Sequence, residues 1–500
     1  MRTILLILLT TLTAWAQSDL RTRPITCHVE TGVYVGSSLR TPFWLGANQF
    51  GIVPTVLPAA TLRGGLKADY PIRSGQDDQR LRKTIRWAYG IEAVANIGHG
   101  GEQVILPEAY VKARLGAFEL MAGRRREVYG LADSTIGLGS YAWSGNALPL
   151  PRIQLSTPDY TPIPFTGKLL FFKAMFAHGW FETNRYVQNS FLHQKALYVR
   201  LGKPSWAVKL YGGLTHQAQW GGRNQVLPEG YIRNGRLPSG LSDYIDVVTA
   251  KSIGARPDVD TTRYSPFDRE NRIGNHLGTV DVGLEVGGRH LSLLVYRQSV
   301  YDDGSLFYLT NIGDGLNGIR LTNNRAKTAG FQVRSVVVEF LSTMSQGGPE
   351  FIDNDEFRRG KDNYFNHGQF RDGYSYMGRT IGTPFLMPGI DTRPELERYA
   401  FTNNNRVQVL HAALSGSVGG VTFLLKSSVS NNFGTYDKPF PERLRQISSF
   451  LSVGIPFGPA RDWQAILTVA DDRGKLLPDA FGAYAGARYT WNQSRYRIRR

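Results

Sequence analysis

Apolar and polar residues alternate one by one in segment after segment of this 500-residue chain. From Ile85 the odd positions Trp87, Tyr89, Ile91, Ala93, Ala95 and Ile97 are apolar, while the even ones include Arg86, Gly90, Glu92 and Asn96. Val280, Val282, Leu284 and Val286 alternate with Thr279, Asp281, Gly283 and Glu285, and Val421, Phe423 and Leu425 alternate with Thr422 and Lys426. Towards the end Phe481, Ala483, Ala485, Ala487, Tyr489 and Trp491 alternate with Gly482, Tyr484, Gly486, Arg488 and Thr490. The same period recurs in residues 59–70, 108–122, 166–177, 195–214, 289–297, 331–340, 406–414, 446–455 and 463–470. Successive side chains of a strand point to opposite faces, so each segment predicts a strand with one apolar face and one small, polar or charged face.

A soluble sandwich also alternates, but strand number separates the two architectures. About 27 residues per strand and connection gives about 18 strands, within the range of single-chain outer-membrane barrels. A sandwich that long splits into domains, and no Pro/Gly/Ser linker divides this chain. The expected fold is all-β: a transmembrane antiparallel β-barrel of about 18 strands with long in-folded loops, residues 17–500 forming one domain. Tyr489 and Trp491 suit an interfacial aromatic girdle. Residues 216–275 and 341–405 resist a strand reading and predict functional loops. Within the first, Leu241, Tyr244, Ile245 and Val248 have helical spacing, which predicts a short helix folded over or into the barrel mouth.

The N-terminus sharpens the compartment. Arg2 precedes an apolar run from Ile4 to Leu12, and Ala14-Trp15-Ala16 supplies a cleavage pattern, so residues 1–16 read as a secretory signal peptide. The expected location is the outer membrane. One cysteine, Cys27, rules out an internal disulfide, and no His/Cys cluster has zinc spacing, so no metal and no cofactor are expected. The chain carries 44 Arg and 14 Lys against 41 acids, a net charge of +17, which favours acidic partners. Export as a barrel makes nucleic acid an unsuitable one.

A set of motifs adds a resemblance. The run Gly137-Leu138-Gly139-Ser140-Tyr141-Ala142-Trp143-Ser144-Gly145-Asn146-Ala147-Leu148-Pro149-Leu150-Pro151 resembles the Wzi-type capsule assembly family of outer-membrane proteins. Further matches are Leu192-His193-Gln194-Lys195, Gly212-Gly213-Leu214-Thr215-His216-Gln217-Ala218-Gln219-Trp220-Gly221-Gly222 and Asp314-Gly315-Leu316-Asn317-Gly318. Asn363-Tyr364-Phe365-Asn366-His367, Gly373-Tyr374-Ser375-Tyr376 and Ile381-Gly382-Thr383-Pro384 follow in the family's order. Thr41-Pro42-Phe43-Trp44-Leu45 and Asn48-Gln49-Phe50-Gly51 resemble the version in Bacteroidetes-type relatives. The resemblance implies an outer-membrane lectin-like barrel that binds capsular polysaccharide, helps organise or retain the capsule, and is not an enzyme. No counterpart of the periplasmic helices of enterobacterial members is evident.

Sugar recognition uses flat aromatic faces, planar amides and guanidinium groups. Trp143, Asn146, Gln219, Trp220 and Arg223 are of those types in Gly-flanked segments, and His216 lies in the same motif. Structural readings stand beside these: belt or loop packing for the tryptophans, a turn for Asn146, hydrogen bonding for His216. The run Arg124-Arg125-Arg126 suits an acidic polymer, lipid phosphates, or internal pairing with acids such as Glu127. No nucleophile elbow or EF-hand spacing occurs. The expected partners are a capsular or surface polysaccharide and outer-membrane lipid, met by a monomer. The rival reading is a porin-like channel for small solutes, which the same strands would serve.

Overall fold

The computed structural model describes residues 24–70, 84–254, 258–302, 305–325, 330–352 and 360–492. The signal-peptide segment and residues 493–500 lie outside them.

The alternating segments form strands of one antiparallel sheet. Its strands are β1 (Ile25–Gly36), β2 (Ala59–Ala68), β3 (Arg86–Gly98), β4 (Gly101–Leu115), β5 (Phe118–Arg124) and β6 (Arg152–Ser156, resumed at Thr161–Pro162). They continue with β7 (Leu170–Trp180), β8 (Phe191–Leu201), β9 (Val208–Trp220), β10 (Asn275–Gly287), β11 (Leu291–Asp302) and β12 (Gly315–Asn323). The last are β13 (Phe331–Ser342), β14 (Val407–Val418), β15 (Val421–Gly434), β16 (Pro439–Phe457), β17 (Trp463–Gly474) and β18 (Ala480–Asn492). Both parts of β6 pair with β7, and β1 pairs with β18 from Thr26↔Asn492 to Gly36↔Gly482. The sheet therefore closes into an 18-stranded barrel.

The two faces are inverted relative to a soluble protein. In β3, Trp87 and Ile91 are 51% and 52% exposed, whereas Glu92 and Asn96 are each 3% exposed. Val280, Val282, Leu284 and Val286 of β10 likewise face outward while Asp281 is buried. A continuous exposed apolar band around a polar interior is what a bilayer stabilises and water does not. At the end that carries both termini, Phe457 stacks on Trp463, and Trp463 meets Tyr489 at 5.0 Å between ring centroids. Tyr489, one of the two residues expected at an interface, thus belongs to an aromatic cluster at that end.

Connections divide sharply between the two ends. The turns 116–117, 288–290 and 419–420 lie at the end with the termini, as does the connection 69–85, while the four longest, 37–58, 125–151, 221–274 and 343–406, all leave the opposite, loop end, as does the turn 99–100. Inside, the wall is polar and interlocked across strands. Tyr198 of β8 lies over Gly213 of β9, where a Cβ would come within 2.2 Å of its ring, and donates its hydroxyl to Asp281 at 2.8 Å. On the wall of β1–β5, Glu30 binds Arg63 at 3.3 Å, and Lys67, Lys112 and Arg488 complete an ion network with Glu108, Glu119 and Glu30.

Candidate functional site

Three of the long connections fold into the barrel and fill it from the loop end. The first, residues 37–58, carries helix α1 (Phe43–Gly46), whose leading N–H donates to Asp472 Oδ2 at 2.8 Å and whose Trp44 indole donates to Ser428 Oγ at 2.9 Å. Both acceptors lie on the wall, so this segment is pinned to β15 and β17. The second, residues 125–151, reaches deepest: Ile136 packs against Val337 and Ala413, and its carbonyl accepts from His411 at 2.9 Å. Leu138 N–H donates to Glu339, and the amide of Gln298 donates to Ser140 Oγ at 3.2 Å. The third, residues 360–406, contributes the two-residue hairpin Ser375–Tyr376 and Arg379–Thr380.

The motif residues are where these three connections knit together. Asn48 N–H donates to Asn146 Oδ1 at 3.2 Å, and Asn146 Nδ2 donates to Thr380 O at 3.0 Å. Ser144 Oγ donates to Gly382 O at 2.7 Å, and Tyr374 OH donates to Ala142 O at 3.0 Å. Phe50 N–H donates to Gly145 O at 2.7 Å; Gly145 has φ +81°, and a Cβ there would lie 2.8 Å from the Phe50 ring. Tyr141, Tyr364, Phe365 and Tyr374 form the aromatic centre of this plug, with Tyr141 and Phe365 centroids 5.1 Å apart.

The residues singled out from the sequence separate into two places. Trp143 and Asn146 are buried in the plug, Trp143 stacked on Tyr129 at 5.2 Å with the Arg152 guanidinium 4.4 Å above its ring. Arg124 donates to Tyr376 OH at 2.6 Å, Arg125 pairs with Glu119 at 2.6 Å and with Glu127, and Arg126 pairs with Glu92. Burial alone would raise the Glu127 carboxyl, yet Arg152 and Arg125 beside it hold it below its ordinary value. Arg125 and Arg126 thus meet carboxylates, and Arg124 a tyrosine hydroxyl of the plug.

His216 and Trp220 share parity with the exposed Leu210 and Leu214, so they face outward. They are nevertheless buried, because the described residues of 221–254 and 258–274 fold back over the outside of β7–β10. Helix α2 (Leu241–Thr249) lies there, its Tyr244 stacked on Trp220 at 5.1 Å. His216 Nε2 contacts His276 Nδ1 at 2.9 Å, and His193 Nδ1 contacts Tyr244 OH at 3.3 Å. The short helix that the spacing predicts is present, but it covers the outer wall, not the mouth. The reason is chemical: the outward His178, His193, Lys195 and His216 would be costly against lipid, and this flap supplies partners such as Val248 O for Lys195. Gln219 points inward and is fully buried, and Arg223 is exposed, held by backbone bonds to Gln188 at 2.8 and 2.9 Å.

An open cleft of about 540 Å³ remains at the loop end of the plug, lined by Arg40, Thr41, Phe43, Asn146, Arg379 and Asp391 among others. Arg379 donates to Val53 O at 2.6 Å and is drawn below its ordinary pKa by burial, against the pull of Asp391. Arg40 is shifted the same way by burial, opposed by Asp391 and Asp472, and its Nε has no hydrogen-bond partner among the described residues. Two guanidinium groups, a carboxylate and a hydroxyl on one rim, with the Asn146 amide engaged beneath them, can bind hydroxyls and acidic groups of a polymer in fixed geometry. Of these only Asn146 was selected from the sequence. Arg40 directly precedes the Thr41-Pro42-Phe43-Trp44 motif and Arg379 lies between two others, a proximity that was the available signal.

A family model described as Capsule assembly protein Wzi matches residues 75–473. Among solved structures, Wzi of Escherichia coli, reported as an outer-membrane protein involved in group 1 capsule assembly and a carbohydrate-binding β-barrel, is 12% identical. The alignment covers 94% of this chain and 85% of that one with a TM-score of 0.56. OccAB4 of Acinetobacter baumannii is 10% identical over 94% of this chain and 98% of its own, with a TM-score of 0.45. No curated protein matches the sequence.

Proposed function

The chain belongs to the Wzi family of capsule assembly proteins, and from that premise we propose that it binds capsular or surface polysaccharide at its loop end and so supports capsule assembly and retention. It is an outer-membrane β-barrel. In such barrels short turns face the periplasm and long loops the exterior, which puts the cleft outside the cell. The observation that carries the reading is that cleft: Arg40, Arg379 and Asp391 on a rim supported by the plug beneath it, in which Asn146 joins the loops. A rigid site loses little conformational freedom on binding, which favours capture of a flexible chain. Acidic sugars suit two guanidinium groups best. The protein is proposed to act as a monomer and a binder, without turnover; the Escherichia coli protein described as carbohydrate-binding supports this role by its shared fold.

A porin-like role would need a continuous aqueous lumen, and the interlocked plug weighs against it. The test is binding of the detergent-folded protein to capsular polysaccharide from its own host, with single-channel conductance recorded on the same preparation. Saturable, salt-sensitive binding with a closed pore is expected, weakened about tenfold or more by Arg40→Gln with Arg379→Gln. Steady conductance without binding would replace this reading with the channel.

A further inference from the structure

On the outside of the barrel, strands β13–β16 carry a groove of about 680 Å³ lined by Phe340, Gln408, Leu410, Val429, Asn431, Arg443 and Arg445. All of these side chains belong to the outward-facing set of their strands: Phe340 and Leu410 are among the exposed apolar residues, as are Ile447 and Leu451 at the parity of Arg443 and Arg445. The strand register sorts them into two levels. Phe340 pairs with Leu410, Leu410 with Val429 and Val429 with Ile447, an apolar row. One step towards the loop end, Gln408 pairs with Asn431 and Asn431 with Arg445, a polar row, with Arg443 beyond it. The groove therefore straddles the border where the lipid-facing band ends on the loop side.

Arg443 and Arg445 sit two residues apart on one face of one strand, about 7 Å along it, close enough for both forks to reach one phosphate. Both are exposed, and neither makes an ion pair among the described residues. The nearby acids are engaged elsewhere: Glu442 binds Lys475 at 2.6 Å and Asp471 binds Arg473 at 3.1 Å. Two unpaired cations above an apolar trough match a molecule with an anionic head and apolar tails. Arginine on the lipid face is tolerated near the interface and becomes favourable with an anionic head group to bind.

We propose that this groove is a binding site for a phosphorylated lipid of the outer leaflet, its phosphate held by Arg443 and Arg445 with Gln408 and Asn431 beside them, and its acyl chains laid on Phe340, Leu410 and Val429. Bound there, the lipid would fix the height and tilt of the barrel, and with them the orientation of the plug.

The test uses the full-length barrel in neutral detergent, titrated with hexa-acylated diphosphoryl lipid A and read by native mass spectrometry, with folding confirmed by heat-modifiable gel mobility. Parallel titrations use the same lipid after dephosphorylation, and inorganic phosphate alone. The expected result is a specific adduct with the diphosphoryl lipid, weakened about tenfold or more without the phosphates, and no stable adduct with free phosphate. Arg443→Gln with Arg445→Gln should weaken the adduct by a similar factor in a folded barrel, while Arg461→Gln, an exposed arginine in the opposite turn, should leave it unchanged. Equal binding of the dephosphorylated lipid, or equal binding by the double variant, would overturn the proposal and reduce the groove to ordinary annular contact.

Discussion

The backbone N–H of Asn48 donates to Oδ1 of Asn146 at 3.2 Å, joining two connections that lie 98 residues apart in sequence. The same amide donates to Thr380 O at 3.0 Å, so one short side chain ties three loops together inside the barrel. Its position follows from Gly145, whose φ of +81° turns the chain where Phe50 crosses it. The motif that most strongly suggested a sugar contact is thus a joint beneath the rim that makes one.

Asn146→Ala should leave a buried N–H and a buried carbonyl unpaired, at a cost of about 1–3 kcal/mol each, while the barrel wall stays intact. The expected outcome is a lower unfolding temperature and intermittent conductance steps that the wild type lacks. A baseline as closed as the wild type would show that the other loop contacts hold the plug alone.

Glu127 binds Arg152 at 2.5 Å and also Arg125, both from positions largely shielded from water. Glu127→Gln leaves the buried Arg152 without its counter-ion while Arg125 keeps Glu119, for which about 3–5 kcal/mol of destabilisation is expected. Arg223→Ala, at an exposed side chain, should change stability by less than about 0.5 kcal/mol. Denaturant titration of both variants checks the contrast.

The face of each strand was legible in the sequence because lipid rewards apolar residues at alternate positions: Trp87, Tyr89 and Ile91 point outward as the period says. Boundaries were less so. Residues 108–122 read as one strand because the turn at Gly116 is two residues long and interrupts no pattern, whereas residues 195–214 span a six-residue connection, 202–207, between β8 and β9. Strand β1 was not among the segments read as strands, although Val29, Val33 and Val35 alternate outward in it. The site was harder, since its contacts are made across the fold. Arg126 meets Glu92 from 34 residues away, and Arg40 is one of 44 arginines until α1 sets it on the rim. The outward parity of Trp220 could be read from Leu214; the flap that covers it could not.

That flap makes a prediction of its own. Trp220 packs on Phe191 at 5.1 Å and stacks on Tyr244 at 5.1 Å, anchoring α2 to the barrel wall. Trp220→Ala should release it, with about 3–5 kcal/mol of local packing lost. Limited proteolysis is expected to cut within residues 221–274 faster than in the wild type, while polysaccharide binding at the cleft is unchanged. Loss of binding without faster cleavage would return Trp220 to the ligand-contact role considered for it from the sequence.

His367 links the plug to pH. Its Nδ1 accepts the N–H groups of Gln369 at 3.2 Å and Phe370 at 3.3 Å, a role open only to an unprotonated nitrogen. Its ring lies 5.4 Å from both Phe267 and Phe370, and burial, reinforced by His276, holds its pKa below the ordinary value. Part of the ring still reaches solvent, which moderates the effect. The sign follows from proton counting: once this segment opens, the imidazole titrates near its ordinary pKa of about 6.5, so below that pH the open form binds the extra proton and the closed form does not. Stability from this residue is therefore full above about pH 6.5 and declines as the pH falls towards the depressed value of the closed form. Hydrogen exchange at the Gln369 and Phe370 amides, corrected for intrinsic rates, should show weaker protection at pH 5 than at pH 7. His367→Asn, whose Oδ1 can accept the same bonds without titrating, should abolish that difference; a wild-type profile flat across the range would show that the segment opens without this ring.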